Sequence, residues 1–183
     1  LLLGKDLYRT VEAAVKGGVS MVQLREKESS TREFVERAIR LKEVLTPYGV
    51  PLIINDRVDV ALAANADGVH VGQSDMPYEM VKRLLPEGKI IGLSVESPEQ
   101  VLEANNYDLD YVAASPVFST TTKTNTIVEW GLDGLRWIRS VSRHPLVAIG
   151  GIHSNNVASI CKAGADSVAV ISAIVSADDP ERA

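Results

Sequence analysis

The sequence predicts an α/β fold on a parallel sheet, closed as a (β/α)8 barrel. Seven short β-branched runs recur along the chain, and segments with helical spacing of apolar residues separate them. No glycine-rich phosphate loop follows the first run, which ends instead in "QLREK". The alternation demands a parallel sheet with crossover helices. The missing loop favours a barrel over an open doubly wound sheet, whose first strand would turn into such a loop.

In chain order, residues 5–17 read as a helix and "SMVQL" (20–24) as the first strand. "SSTREF" (29–34) offers Ser or Thr caps with Glu33 nearby and opens a helix over 31–45, whose helical spacing is carried by Phe34, Val35, Ala38, Ile39, Leu41, Lys42 and Leu45. "PLIIN" (51–55), "GVHVG" (68–72) and "KIIGLS" (89–94) read as the next strands, and "SPEQ" (97–100) starts a helix with Pro in its first turn. "YVAAS" (111–115) precedes a helix over 132–141, carried by Leu132, Leu135, Trp137, Ile138 and Val141. "PLVAI" (145–149) is followed by "HSNN" (153–156), with Ser154 as a helix cap, and "SVAVIS" (167–172) is the last strand. "KGG", "NADG" and "KAGADS" stand just before strands and read as helix ends returning to the sheet. Because the chain opens in a helix, the expectation is that the first strand of the barrel, and part of its last helix, are missing from it.

At 183 residues and 45% hydrophobic, the chain is expected to form one barrel domain over 1–183. Cys161 is its one cysteine, which excludes an internal disulfide and fits a reducing, cytoplasmic compartment. The longest apolar stretches, such as "VAVISAIV" (168–175), fall well short of the ~20 residues of a membrane span. "LLL" at the start lacks the basic segment of a secretion signal. A net charge of -5 with dispersed cations argues against nucleic acid, so any anion site must be local.

Functional groups of a barrel gather at the carboxyl ends of its strands. By alternation Gln23, Arg25 and Lys27 share one side, and an Arg fork beside a Lys point charge suits a phosphate or diphosphate. The same charges would also serve as surface salt bridges to Glu26 or Glu28. Asn55, Asp56 and Asp75 each follow an apolar strand; two carboxylates on adjacent loops suit a hard cation such as Mg2+, or else cap helices and turns. "SPVFSTTTKTNT" (115–126) is a long polar connection in which Lys123 is placed to close over a phosphate, or which is simply a hydroxyl-rich loop. Gly151 and Ser172 end the last two strands, where barrels set phosphates against backbone N–H groups. Gly150–Gly151 would equally serve a tight turn. His70, His144 and His153 show no metal spacing, and Cys161 reads as an inert packed thiol.

Taken together and in order, "VQLREK", "IINDRVDVALAANADGVHVGQSD", "GLSVES", "SPVFSTTTK", "AIGGI" and "VISAI" resemble the thiamin-phosphate synthase family over essentially the whole chain. The resemblance implies a (β/α)8 TIM barrel that joins a hydroxymethylpyrimidine diphosphate to a thiazole phosphate and releases diphosphate. It implies that Gln23, Arg25, Lys27, Asn55, Ser94 and Lys123 bind the pyrimidine diphosphate, with Arg25, Lys27, Ser94 and Lys123 acting in catalysis. It further implies Mg2+ on Asp56 and Asp75, and Thr120, Thr122, Gly151, Ile171 and Ser172 around the thiazole phosphate. The partners expected are these small molecules, with neither nucleic acid nor membrane, and a homo-oligomer left open. Ser115 stands where the family commonly has glycine, and Glu129–Trp130 before Gly131 also departs from its pattern. Two rival readings are a thiazole tautomerase, whose branch carries a His where this chain has Pro116, and a non-catalytic phosphate-binding barrel, which would have no use for Asp56 and Asp75.

Overall fold

A computed structural model describes residues 5–119 and 129–183. All seven expected strands are present among them, and strand order follows chain order. The elements run α1 (Leu7–Lys16), β1 (Val22–Leu24), α2 (Thr31–Leu45), β2 (Leu52–Asn55), α3 (Val58–Ala63), β3 (Gly68–Val71), α4 (Tyr78–Leu84) and β4 (Ile90–Val95). They continue with α5 (Pro98–Ala104), β5 (Tyr111–Ala114), α6 (Gly131–Val141), β6 (Leu146–Ile149), α7 (Val157–Lys162), β7 (Ser167–Ala169) and α8 (Ser172–Val175).

The chain forms two compact units, one reaching to Ile91 and including Ile171–Ala183, the other spanning Gly92–Val170. In the first unit β1, β2 and β3 pair in parallel, with Leu24 opposite Ile54 and Asn55 opposite His70. Every position of β2 and β3 is buried, as expected of a parallel strand covered on both faces. Phe34, Ala38, Leu41 and Leu45 of α2 are the buried stripe of that helix, each larger side chain contributing about 1.5–3 kcal/mol by leaving water. In the second unit β5 pairs with β4 and β6, and β6 with β7, all parallel. Leu135 and Ile138 of α6, with Val112, Leu146 and Ala148 of the strands, form its core.

The recurring "AD" before a strand has one physical meaning in both units. Asp67 donates its N–H to Leu52 O and accepts the Leu52 N–H on its carboxylate, both at 2.8 Å, while Lys42 of α2 pairs with the other oxygen. Asp166 repeats both backbone contacts with Leu146, again at 2.8 Å, and the oxygen that accepts the Leu146 N–H also meets Arg139 of α6 at 3.1 Å. Each aspartate thus starts one strand and satisfies the leading N–H of its neighbour.

Local signals succeeded where capping is self-contained. Ser30 caps α2 in a reciprocal box with Glu33, and Ser97 caps α5 ahead of Pro98. The Ser154 cap is not formed: α7 starts after Asn156, whose side chain turns back to the His153 N–H and Gly151 O. The last strand is also shorter than the apolar run, stopping at Ala169 because the backbone turns at Ile171 to open α8. Cys161 is exposed rather than packed. His144 is buried, its ring nitrogens 3.1 Å from Leu109 O and 2.9 Å from Ala104 O.

Candidate active site

The parallel register brings the ends of β1, β2 and β3 to one edge of the first unit. Gln23 is exposed and Leu24 buried, so the expected alternation holds. β1 ends at Leu24, and Arg25 and Lys27 therefore sit just beyond it, both exposed, in the loop leading to α2. Lys27 pairs with Asp56, not with Glu26 or Glu28. Glu26 is taken by Arg37 at 2.8 Å. The surface-pair alternative is thereby answered for Lys27, and among the described residues Arg25 forms no ion pair.

Asn55 is the last residue of β2 and is 9% exposed. Asp56 follows it with a φ of 62°, a left-handed backbone that costs a non-glycine residue. The cause is a three-residue turn: the Arg57 N–H reaches Asn55 O at 2.8 Å, while the Asp56 N–H donates to His70 O of β3 at 2.8 Å. The turn presents the Asp56 carboxylate to Lys27. Asp75 belongs to the next loop, where the Gly72 N–H donates to its Oδ2 at 2.8 Å. A Cβ at residue 72 would lie 3.0 Å from that oxygen, so the glycine keeps the donor accessible. Gly72 is a functional position whose signal in the sequence is a turn pattern, a glycine three residues before the aspartate.

Asp56 and Asp75 are within hydrogen-bond reach of each other. Burial raises the Asp56 carboxyl, but Lys27, the bond with Asp75 and the Arg25 charge outweigh it and hold Asp56 below the usual aspartate value. Asp75 is held above that value, by burial first and then by its bond to Asp56 and the charge there; the Gly72 N–H and Lys27 oppose this. The pair thus carries more negative charge than its one paired lysine balances. Among the described residues no group of three or more His, Cys, Asp or Glu is arranged for a metal, so any cation here would need further oxygen ligands from substrate or water.

Ile171 and Ser172 stand at the entrance to α8, Ile171 as its cap residue and Ser172 as its first. In the second unit Ser94 lies in β4 and is 7% exposed. Gly150 and Gly151 have φ of 99° and 65°, and a Cβ on Gly151 would come within 2.7 Å of Phe118 Cβ and 2.9 Å of Ser119 O. Both the turn and the close approach of the 118–119 backbone require glycine there. Thr120, Thr122 and Lys123 lie outside the described residues. No helix among the described residues is long and apolar enough to cross a membrane.

Residues 2–174 match the family model described as thiamine monophosphate synthase. A thiamine-phosphate synthase of Albidiferax ferrireducens is 53% identical over 97% of this chain and 81% of its own length. One from Leptospira biflexa is 51% identical over 100% of this chain and 89% of its own. The solved thiamine phosphate pyrophosphorylase of Pyrococcus furiosus superposes with a TM-score of 0.89 at 41% identity, covering 97% of this chain and 85% of that one. Sequence and fold agree over nearly the full chain, and the chain belongs to the thiamine monophosphate synthase family.

Proposed function

We propose that the edge formed by the ends of β1, β2 and β3 holds the diphosphate of a pyrimidinylmethyl diphosphate while a thiazole phosphate attacks. The chain is an enzyme, a transferase of thiamine phosphate synthesis, as its relatives at about half identity establish. The tautomerase and non-catalytic readings find no support among them. The observation that carries the site reading is the Lys27–Asp56–Asp75 cluster with the Arg25 charge acting on Asp56.

The chemistry explains why such a cluster suffices. The bond between the pyrimidinylmethyl carbon and the diphosphate oxygen breaks, its electron pair leaves with the diphosphate, and the thiazole nitrogen lone pair closes on the carbon. No side-chain nucleophile is required, so the protein must stabilise the charge that leaves. In this reading Arg25 forks onto the diphosphate oxygens, Lys27 adds a point charge, and Gln23 and Asn55 orient the substrate. Asp56 and Asp75 fit Mg2+, because two crowded carboxylates with surplus negative charge are an oxygen pair that a hard cation satisfies. When bound there, Mg2+ would neutralise diphosphate charge. Ser94 and Lys123, and Thr120, Thr122, Gly151, Ile171 and Ser172 for the thiazole phosphate, enter through the motif match. We read the parallel strands as units of a (β/α)8 TIM barrel, supported by their sequential order and buried faces.

The test is an end-point assay of diphosphate release with both substrates, with and without Mg2+, on the native chain and on Arg25→Ala, Asp75→Ala and Lys123→Ala. Release should require Mg2+ and fall by on the order of a hundredfold in each variant. Full activity in a variant would remove its residue from the site.

A further inference from the structure

We infer that Arg37, Glu26 and Ser29 form a positioning clamp that sets Arg25 and Lys27 for diphosphate binding, an inference resting on the reading of those two cations as diphosphate ligands. Glu26 stands between the two cations in sequence, where a free carboxylate would compete for either. It is instead held by Arg37, which reaches back from about two turns into α2 to Glu26 Oε1 at 2.8 Å and to Ser29 Oγ at 2.7 Å. Ser29 donates its hydroxyl to the other Glu26 oxygen at 3.0 Å, closing a three-membered ring of contacts. The Glu26 side chain is 23% exposed while Lys27 is 52% exposed.

Ser30 caps α2 with Glu33 in return, so the start of the helix that carries Arg37 is set one residue after Ser29. Between Leu24 of β1 and Ser30 the loop is tied to α2 through Glu26 and Ser29 and to the β2 loop through Lys27. The clamp therefore does two things: it ties the loop to α2, and it neutralises Glu26, the carboxylate that stands between the two cations in sequence. None of the three residues needs to touch substrate.

Steady-state kinetics on Arg37→Ala and Arg37→Lys, with circular dichroism for folding, test this. Positioning predicts that KM for the pyrimidine diphosphate rises about tenfold in Arg37→Ala, while KM for the thiazole phosphate stays within about twofold. A loss of folded protein would lower kcat and leave both KM values alone. Arg37→Lys, which keeps the charge but must reach both Glu26 and Ser29 with an ammonium in place of the one guanidinium nitrogen that meets them, should recover part of the effect. Adding Glu26→Gln to Arg37→Ala should also recover part, because the liberated carboxylate is gone. An unchanged pyrimidine KM in both Arg37 variants, with Arg25→Ala impaired, would overturn the clamp alone. If Arg25→Ala is itself fully active, the reading of the site fails and the clamp with it. Should Arg37→Ala not fold, Arg37→Lys decides: a pyrimidine KM equal to the native value overturns the clamp.

Discussion

Lys27 and Asp56 join the loop after β1 to the loop after β2 through an ion pair whose lysine end is exposed and whose carboxylate end is mostly covered. An exposed pair of this kind adds about 0–1 kcal/mol to stability, so its importance is in charge placement. Lys27→Met should shift Tm by no more than about 2–4 °C. Diphosphate release should drop by on the order of a hundredfold, while the Mg2+ concentration giving half the thermal shift should decrease, because Asp56 loses its competitor. Calorimetry with and without Mg2+ checks the two thermal effects, and the release assay checks the third.

The opposite displacements of Asp56 and Asp75 set the pH response. Asp75 sits above its ordinary value, so its contribution to stability is full in acid and is lost as pH rises through that raised folded value. Asp56 sits below its ordinary value, so its contribution is present above the unfolded value and lost as pH falls through the depressed folded one. A cation needs both ionised, and Mg2+ affinity should weaken as pH drops into the range of Asp75. Asp75→Asn should raise the metal-free Tm by roughly 1–2 °C and abolish the Mg2+-dependent rise. Melting curves across pH, with and without Mg2+, would refute this if the variant kept the native response.

The left-handed backbone at Asp56 makes a stability prediction independent of charge. Asp56→Gly and Asp56→Ala both remove the carboxylate, but only glycine accepts the conformation freely. Denaturant unfolding should find the glycine variant more stable by about 1 kcal/mol, with both inactive. The reverse order would mean that the turn relaxes.

Gly49 and Gly151 share a φ of 65°, yet a Cβ meets nothing within 4 Å at the first and Phe118 Cβ at 2.7 Å at the second. Alanine at either position enters the same left-handed range of φ, so their difference reports chiefly the close contact. Gly151→Ala should be less stable than Gly49→Ala by about 1–3 kcal/mol.

Much of the architecture was legible locally. The helix expected over 31–45 is Thr31–Leu45 because its capping box and its apolar spacing are both encoded within a few residues of one another. The Ser154 cap is not formed because the Asn156 and Val157 N–H groups it would meet both go to His153 O at 3.0 Å, a backbone choice that composition does not show. The run "SVAVIS" looks continuous in composition, but strand pairing stops at Ala169, opposite Ile149.

By itself, the sequence determined the succession of strands and helices and the presence of cations and carboxylates just past the strand ends, since periodicity and caps act over one or two turns. Only the tertiary structure decided that Glu26 goes to Arg37 and Lys27 to Asp56, and that of two like carboxylates one is held down and the other up. The reason is that pairing and desolvation depend on distances between loops far apart in the chain, which parallel register sets and local composition does not.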